Sequence, residues 1–270
     1  MWSLIALIVA VLVTSYLRRW LTARPSHDRQ WRPDQATIPG VTICEGVVHV
    51  RNVRDFHYRP PGDPTPRFRE RTVSLDQLQR VWYSVIPFRD RWRGLAHAFV
   101  TFEISGGEYV SISIEARKVA GRKYSLWEGA LRSYELMILI AEERDMMGAR
   151  AVAGRNRVHL YPLRLTPEDT RVLFLELVGA ARAIEERPVF YNTITDNCTT
   201  RILGAIHRTV PNRVPATARW VFPGLSDRLL HKCGLLDTDL KFEQARHYFD
   251  VTERVRAFIT RRDFSTRIRT

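Results

Sequence analysis

The clearest structural signal in this sequence is a pair of apolar segments joined by a glycine-containing turn. The segments are AHAFVTFEI at 96–104 and EYVSISIEA at 108–116, and SGG at 105–107 joins them. Both are rich in β-branched and aromatic residues, and a Gly-Gly pair suits a tight turn, so the pattern predicts an antiparallel β-hairpin. With Gly106-Gly107 as a two-residue turn, facing residues have numbers that sum to 213. His97 then faces Ala116, and a one-residue bulge would place Glu115 beside it.

Further segments predict a mixture of strands and helices. Strand-like composition marks 41–53 and 157–163, and a Ser cap predicts a short helix over 74–82. Thr166-Pro167 predicts the start of a helix that ends near 186, because Thr is a favoured N-cap and Pro suits the first turn. The remaining assignments are a proline-rich loop at 58–67 and an amphipathic helix at 251–259. Strands followed by helices, with more strand between them, predict the α+β class.

The chain begins with an uncharged apolar run, residues 1–17, which Arg18 and Arg19 follow. At 1.5 Å per residue the run spans about 25 Å, and two further residues would bring it close to the roughly 30 Å hydrocarbon core of a bilayer. We expect an uncleaved transmembrane helix, because a cleavable signal peptide, which is the alternative, has its basic residues before the apolar run. The positive-inside rule alone would leave the following domain in the cytosol.

These segments divide the chain into four parts. We expect a transmembrane anchor at 1–21, a polar linker at 22–40, a main domain at 41–212 and a basic extension at 213–270.

The chain is strongly basic, with 42 Lys and Arg residues against 29 Asp and Glu residues, a net charge of +13. Such a charge favours phosphate-bearing partners, either nucleic acid or an anionic lipid surface. No basic and aromatic recognition motif is present, so nucleic acid is not expected as a partner. The apolar run at the N-terminus shifts the choice to membrane lipids.

The best candidate for chemistry is Cys198, one of three cysteines. No Cys-x-x-Cys or Cys/His spacing occurs, so we expect no structural metal, no disulfide framework and no cofactor. Asp196 or Asn197 can cap a helix that begins at Cys198, and free backbone amides at a helix start stabilise a thiolate. The same amides could form an oxyanion hole.

A thiolate nucleophile needs a proton acceptor, and His97 is the preferred histidine because it opens an apolar strand. His207, in contrast, points away from Cys198, since nine residues correspond to about half a turn of a helix beyond two full turns. Glu115 is the first candidate to orient the imidazole. Other candidates are Ser111 and Ser113 on the same strand face, and Glu142, Glu143 and Asp145 through tertiary folding.

Five motifs occur in an order that resembles one protein family. They are NVRDFHY at 52–58, AHAFVTFE at 96–103, YVSISIEARK at 109–118, YELMILIAEERD at 134–145 and FYNTITDNCTTRI at 190–202. The family is named after the N-terminal periplasmic domain of the lipoprotein N-acyltransferase Lnb. The resemblance implies a permuted papain-like (NlpC-like) α+β domain on the periplasmic side of a bacterial inner membrane, held by a single-pass anchor. It also implies a catalytic pair that corresponds to Cys198 and His97, with Glu115 at the position of a family glutamate.

For the acyltransferase branch, the resemblance implies transfer of an acyl chain from a phospholipid to a lipoprotein N-terminus through a thioester on Cys198, with His97 as base and then acid. Two alternatives use the same sequence differently. One is a papain-like cysteine peptidase or amidase of the cell envelope, and the other is a non-enzymatic envelope binding protein. The sequence gives no indication of the oligomeric state.

Overall fold

A large mixed sheet organises the protein in the computed structural model, which describes residues 2–58, 66–88, 94–217 and 222–270. Within these residues the strands are β1 Gly40–Cys44, β2 Val47–Arg54, β3 Phe68–Ser74, β4 Leu78–Pro87, β5 Ala96–Ile104, β6 Glu108–Arg117, β7 Glu135–Glu142 and β8 His159–Pro162. The sheet order is β1-β2-β7-β6-β5-β4-β8, with β3 paired to β2. β2 and β7 are parallel, whereas the other pairs of neighbouring strands are antiparallel.

Helices cover both faces of this sheet. In the described parts of the chain they are α1 Trp2–Thr22, α2 Leu126–Ala130, α3 Glu143–Met147, α4 Pro167–Glu186, α5 Cys198–Thr209, α6 Ser226–Lys232, α7 Phe242–Tyr248, α8 Thr252–Phe258 and α9 Phe264–Arg267. A π-helical segment, Gly148–Ala153, follows α3 directly. The first core packs α4 and α5 against the sheet, and the second contains side chains of α3, α8 and α9. Because both faces are covered, β5 and β6 are buried along most of their length.

The predicted hairpin is present, but its register differs from the prediction by one residue. β5 ends at Ile104, which pairs with Glu108, so the loop has three residues and the numbers of facing residues sum to 212. Gly106 and Gly107 both have positive φ angles, which glycine adopts without steric cost. In this register the side chains of His97 and Glu115 share one face of the sheet.

Local signals placed several other elements correctly. The helix predicted from Thr166 is α4, and the hydroxyl of Thr166 accepts a hydrogen bond from the backbone amide of Asp169 in a capping box. The predicted strand at 157–163 contains β8, and the predicted helix at 251–259 contains α8. Most of the proline-rich loop, residues 59–65, lies outside the described residues. These results confirm the α+β class.

Two segments fold differently from the prediction. Residues 41–53 form a hairpin rather than one strand, because Glu45 and Gly46 take positive φ angles and reverse the chain between β1 and β2. Residues 74–82 form a short 3-10 turn and then β4 rather than a helix, and Ser74 makes no capping bond. β4 pairs with β5 on one side and with β8 on the other, so distant pairing outweighs the local helix signal.

The predicted N-terminal transmembrane helix is wrong. The segment does form α1, but no helix in the described parts of the chain combines the length and the apolar character needed to cross a bilayer. The physical reason is the length of the uncharged run: it ends at Leu17, so it spans about 25 Å of helix against the roughly 30 Å of hydrocarbon that a span must cross.

The segment between α1 and β1 packs on the end of β6. Trp31 lies under the guanidinium of Arg117, whose carbon is 4.1 Å from the ring centre. The buried side chain of Gln35 donates to the carbonyl of Ala116 at 3.2 Å and accepts from the amide of Lys118 at 2.8 Å. These contacts fix the strand end that carries Glu115.

Candidate active site

Cys198 is the first residue of α5, and Asn197 caps this helix. The Oδ1 atom of Asn197 accepts hydrogen bonds from the amides of Thr199 at 2.8 Å and Thr200 at 3.0 Å. In return, the Thr200 hydroxyl accepts from the Asn197 amide at 2.8 Å. The cap satisfies backbone donors that a helix start leaves free, and it holds Cys198 at the positive end of the helix dipole.

The thiol of Cys198 lies against the beginning of β5. The charge of its thiolate interacts with the imidazole of His97, and the backbone amide of Ala98 helps to stabilise that thiolate. Cys198 is 5% exposed. The structure therefore brings together the cysteine and the histidine that the sequence selected, although they lie 101 positions apart in the chain.

On its other side, the imidazole contacts polar side chains of β6. Nε2 of His97 lies 2.8 Å from the hydroxyl of Ser113 and 3.1 Å from Oε1 of Glu115. The Ser113 hydroxyl donates to Glu115 at 2.8 Å, so Nε2 is the donor in its own contact with Ser113. Arg150, in the π-helical segment, donates to Glu115 at 2.6 Å. Because Nε2 is engaged here, Nδ1 is the ring nitrogen left for the thiol.

Burial and charge act in opposite directions on the pKa values of this group. Burial alone would raise the pKa of the Cys198 thiol, but the charge and hydrogen bond of His97 outweigh it and hold that pKa below its ordinary value. Burial would likewise lower the pKa of His97, but the negative charges of Glu115 and of the Cys198 thiolate together outweigh it and raise that pKa. Burial also opposes ionisation of Glu115, yet His97 and Arg150 keep its pKa well below the usual range. The three shifts together favour a thiolate, an imidazolium and a carboxylate.

The thiol opens into a cleft of about 780 Å³. This volume lies in the range of about 300–1,000 Å³ that is typical of small-molecule pockets. The walls are mostly apolar and aromatic, and they include Phe88, Leu95, Ala96, Ile114, Tyr124, Leu126, Trp127, Ala130, Tyr191, Ile194, Phe222 and Pro223. Several of these side chains are solvent-exposed at the cleft, and Trp127 reaches 80% exposure. An exposed cluster of this kind marks a binding surface for an apolar group.

The remaining sequence candidates lie away from the thiol. Asp196 pairs with Arg201 at 2.7 Å, and the Ser111 hydroxyl contacts Thr101. The other three acidic candidates form ion pairs with arginines: Glu142 with Arg71, Glu143 with Arg269 and Asp145 with Arg54. The side chain of Asn197 serves the cap through Oδ1, and its Nδ2 donates to the carbonyl of Thr193 at 2.7 Å.

Sequence reasoning missed Arg150 and Lys118, which line the same cleft as Cys198. No local pattern marks either residue, because Arg150 reaches Glu115 only through the packing of the π-helical segment against the sheet. Among the described residues, no group of three metal-binding side chains is present.

The comparison with family models identifies one family. Residues 64–224 match the family described as the Lnb N-terminal periplasmic domain. The match covers more than half of the chain and includes Cys198, His97 and Glu115. The chain belongs to this family. Its description supports a periplasmic location for the main domain, as the resemblance implied.

No curated protein and no solved structure matches the chain. The papain-like relationship that the family resemblance implied therefore stays a prediction.

Proposed function

We propose that the protein is a thiol acyltransferase of the bacterial cell envelope, which moves an acyl chain from a phospholipid to the N-terminal amine of a lipoprotein. The observation that carries the proposal is a buried Cys198–His97 pair that opens into a cleft with mostly apolar walls. A thiolate supplies the nucleophile for acyl transfer, and apolar walls supply a site for an acyl chain. Membership of the Lnb family supports a place in the cell envelope.

In the first step, the Cys198 thiolate attacks the ester carbonyl of the phospholipid. A C–S bond forms, the ester C–O bond breaks, and His97 donates its proton to the departing lysolipid oxygen. Asn197 occupies the amides of Thr199 and Thr200, so the amide of Cys198 itself is the first-turn donor left for the oxyanion.

In the second step, the amine of the lipoprotein attacks the thioester carbonyl. His97 accepts a proton from the amine, the C–N bond of the amide forms, and the C–S bond breaks to regenerate the thiolate. The charge on Glu115 stabilises the imidazolium in both steps, because this carboxylate lies 3.1 Å from Nε2 of His97. Glu115 therefore acts as a positioning residue, through His97.

The test is a search for the thioester. The full chain is incubated with phospholipid vesicles and no amine acceptor, and its intact mass is measured. We expect a mass increase of one acyl chain that neutral hydroxylamine removes. The increase should be absent in Cys198→Ala and present in Cys44→Ala, which removes an exposed cysteine away from the cleft.

A second measurement separates this proposal from its alternatives. Acyl and peptidyl electrophiles are offered to the protein in parallel. Labelling of Cys198 by peptidyl electrophiles alone would favour a peptidase or amidase. A Cys198 that reacts with neither class, in a folded protein, would favour a non-enzymatic binding protein.

A further inference from the structure

Two positively charged side chains line the Cys198 cleft among its mostly apolar residues. Lys118 directly follows β6, two residues after the carbonyl of Ala116, to which its ammonium donates at 3.2 Å. Arg150 lies on the π-helical segment and donates to Glu115 at 2.6 Å. Both side chains line the same cleft as Cys198 and Trp127. An acyl chain alone would not require a positive charge at this place.

The charges around the thiol do not cancel. The negative charges of the Cys198 thiolate and Glu115 together balance the positive charges of the His97 imidazolium and Arg150. Lys118 is left over, since no carboxylate in the described parts of the chain lies within ion-pair distance of its ammonium.

Two further observations favour an anion-binding role for Lys118 and Arg150. Burial lowers the pKa of Lys118, and the charges of Glu115 and Asp34, neither of which forms an ion pair with it, do not offset that effect. The Nε–H group of Arg150 is buried and lacks a hydrogen-bond acceptor among the described residues. A buried donor without an acceptor costs free energy, and the oxygen of a bound anion would relieve that cost.

We propose that Lys118, assisted by Arg150, binds the phosphate of the acyl donor and so selects phospholipids over neutral acyl esters. This inference rests on the proposed acyl transfer. In a glycerophospholipid the phosphate and the ester carbonyl are only a few bonds apart. A phosphate held by Lys118 would therefore present the ester to Cys198 while the acyl chain lies along the apolar wall. Lysine and arginine side chains are suited to this role because they form charge-assisted hydrogen bonds to phosphate oxygens.

The experiment compares two donors that differ in the phosphate. Phosphatidylglycerol and diacylglycerol with identical acyl chains are presented in the same neutral detergent micelles, and the rate of thioester formation on Cys198 is measured by intact mass. For Lys118→Ala we expect the ratio of the phosphatidylglycerol rate to the diacylglycerol rate to fall about 10- to 100-fold, the effect of losing a hydrogen bond to a charged group. Lys118→Arg should restore most of the ratio. Lys232→Ala, which removes an exposed lysine on α6, should leave the ratio as it is in the unsubstituted protein.

The possible failures are distinguishable. An unchanged ratio in folded Lys118→Ala, or an equal loss of rate with both donors, would overturn the phosphate site and leave the proposed acyl transfer standing. Absence of a thioester from both donors in the unsubstituted protein would overturn the proposed function, and the phosphate site with it. Inorganic phosphate is added in a further arm. If phosphate inhibits thioester formation and the inhibition requires Lys118, the phosphate site is supported. If phosphate inhibits while the two lipids react at equal rates, the site takes free phosphate and the assignment to a lipid headgroup is overturned.

Discussion

Replacement of Glu115 by glutamine tests the contact on which the charge state of His97 depends. The carboxylate lies 3.1 Å from Nε2 of His97 and accepts a hydrogen bond from Ser113 at 2.8 Å. Glutamine has nearly the same shape and can still accept hydrogen bonds, but it carries no charge. We therefore expect the imidazolium to lose its counter-ion while the geometry of the strand is retained.

The expected loss follows from the burial of the pair. The side chains of His97 and Glu115 are 8% and 12% exposed, so water screens their interaction weakly. A hydrogen bond to a charged group contributes about 1.5–3 kcal/mol to stability. With about 1.36 kcal/mol for each factor of ten in rate, Glu115→Gln should slow thioester formation about 10- to 150-fold near neutral pH.

The pH profile gives a readout that a purely structural defect would not move. The reactive thiolate–imidazolium pair exists above the pKa of Cys198 and below the pKa of His97. Because Glu115 raises the pKa of His97, its loss should move the alkaline limb of the rate profile to lower pH. The imidazolium also lowers the pKa of Cys198, so the acid limb should move to higher pH and the active range should narrow.

The assay is thioester formation measured against pH, with thermal unfolding as the check on folding. Glu103→Gln is the matched control, because Glu103 belongs to the same hairpin but accepts its hydrogen bond from Trp82 rather than from His97. If folded Glu115→Gln kept both the rate and the alkaline limb of the unsubstituted protein, the assignment of Glu115 to the charge state of His97 would be refuted.

Two further substitutions test the framework of the site. Asn197→Ala removes the side-chain oxygen that accepts hydrogen bonds from two amides at the start of α5. We therefore expect the free energy of unfolding in urea to fall by about 1 kcal/mol and Cys198 to react more slowly with iodoacetamide. Unchanged reactivity of the thiol would contradict the role of the cap. Asp145→Ala leaves the buried guanidinium of Arg54 without its counter-ion, so the free energy of unfolding should fall by about 3–5 kcal/mol. Glu186→Ala breaks an exposed pair and should change little, and an equal effect in both variants would refute this reasoning.

Much of the site was predictable because its components carry local signals. An Asn before a run of helix-forming residues predicts a cap, and this cap places Cys198 at the start of α5. Two segments rich in β-branched and aromatic residues around a Gly-Gly pair predict β5 and β6, which carry His97 and Glu115. Each of these signals depends on residues that are close in sequence, and for this reason sequence reasoning could detect them.

Other features depend on pairing between distant segments and have no local signal. β4 has a helix-like start, but it lies between β5 and β8 in the sheet and takes the strand conformation of its neighbours. Arg150 belongs to a π-helical segment that a pattern of 3.6 residues per turn does not mark. Its contact with Glu115 spans 35 positions in the chain, so only the folded structure shows it.

The length of the loop between β5 and β6 determines which residues of the two strands pair, including residues far from the loop. A two-residue turn would pair His97 with Ala116 and place the side chain of Glu115 on the opposite face of the sheet, because a shift of one residue reverses the faces of a strand. The observed loop has three residues, so Ile104 pairs with Glu108, and His97, Ser113 and Glu115 share one face. The loop lies seven residues of β5 beyond His97, roughly 25 Å along an extended strand. The backbone conformation of Gly106 and Gly107 thus determines, at that distance, whether the imidazole has a carboxylate partner.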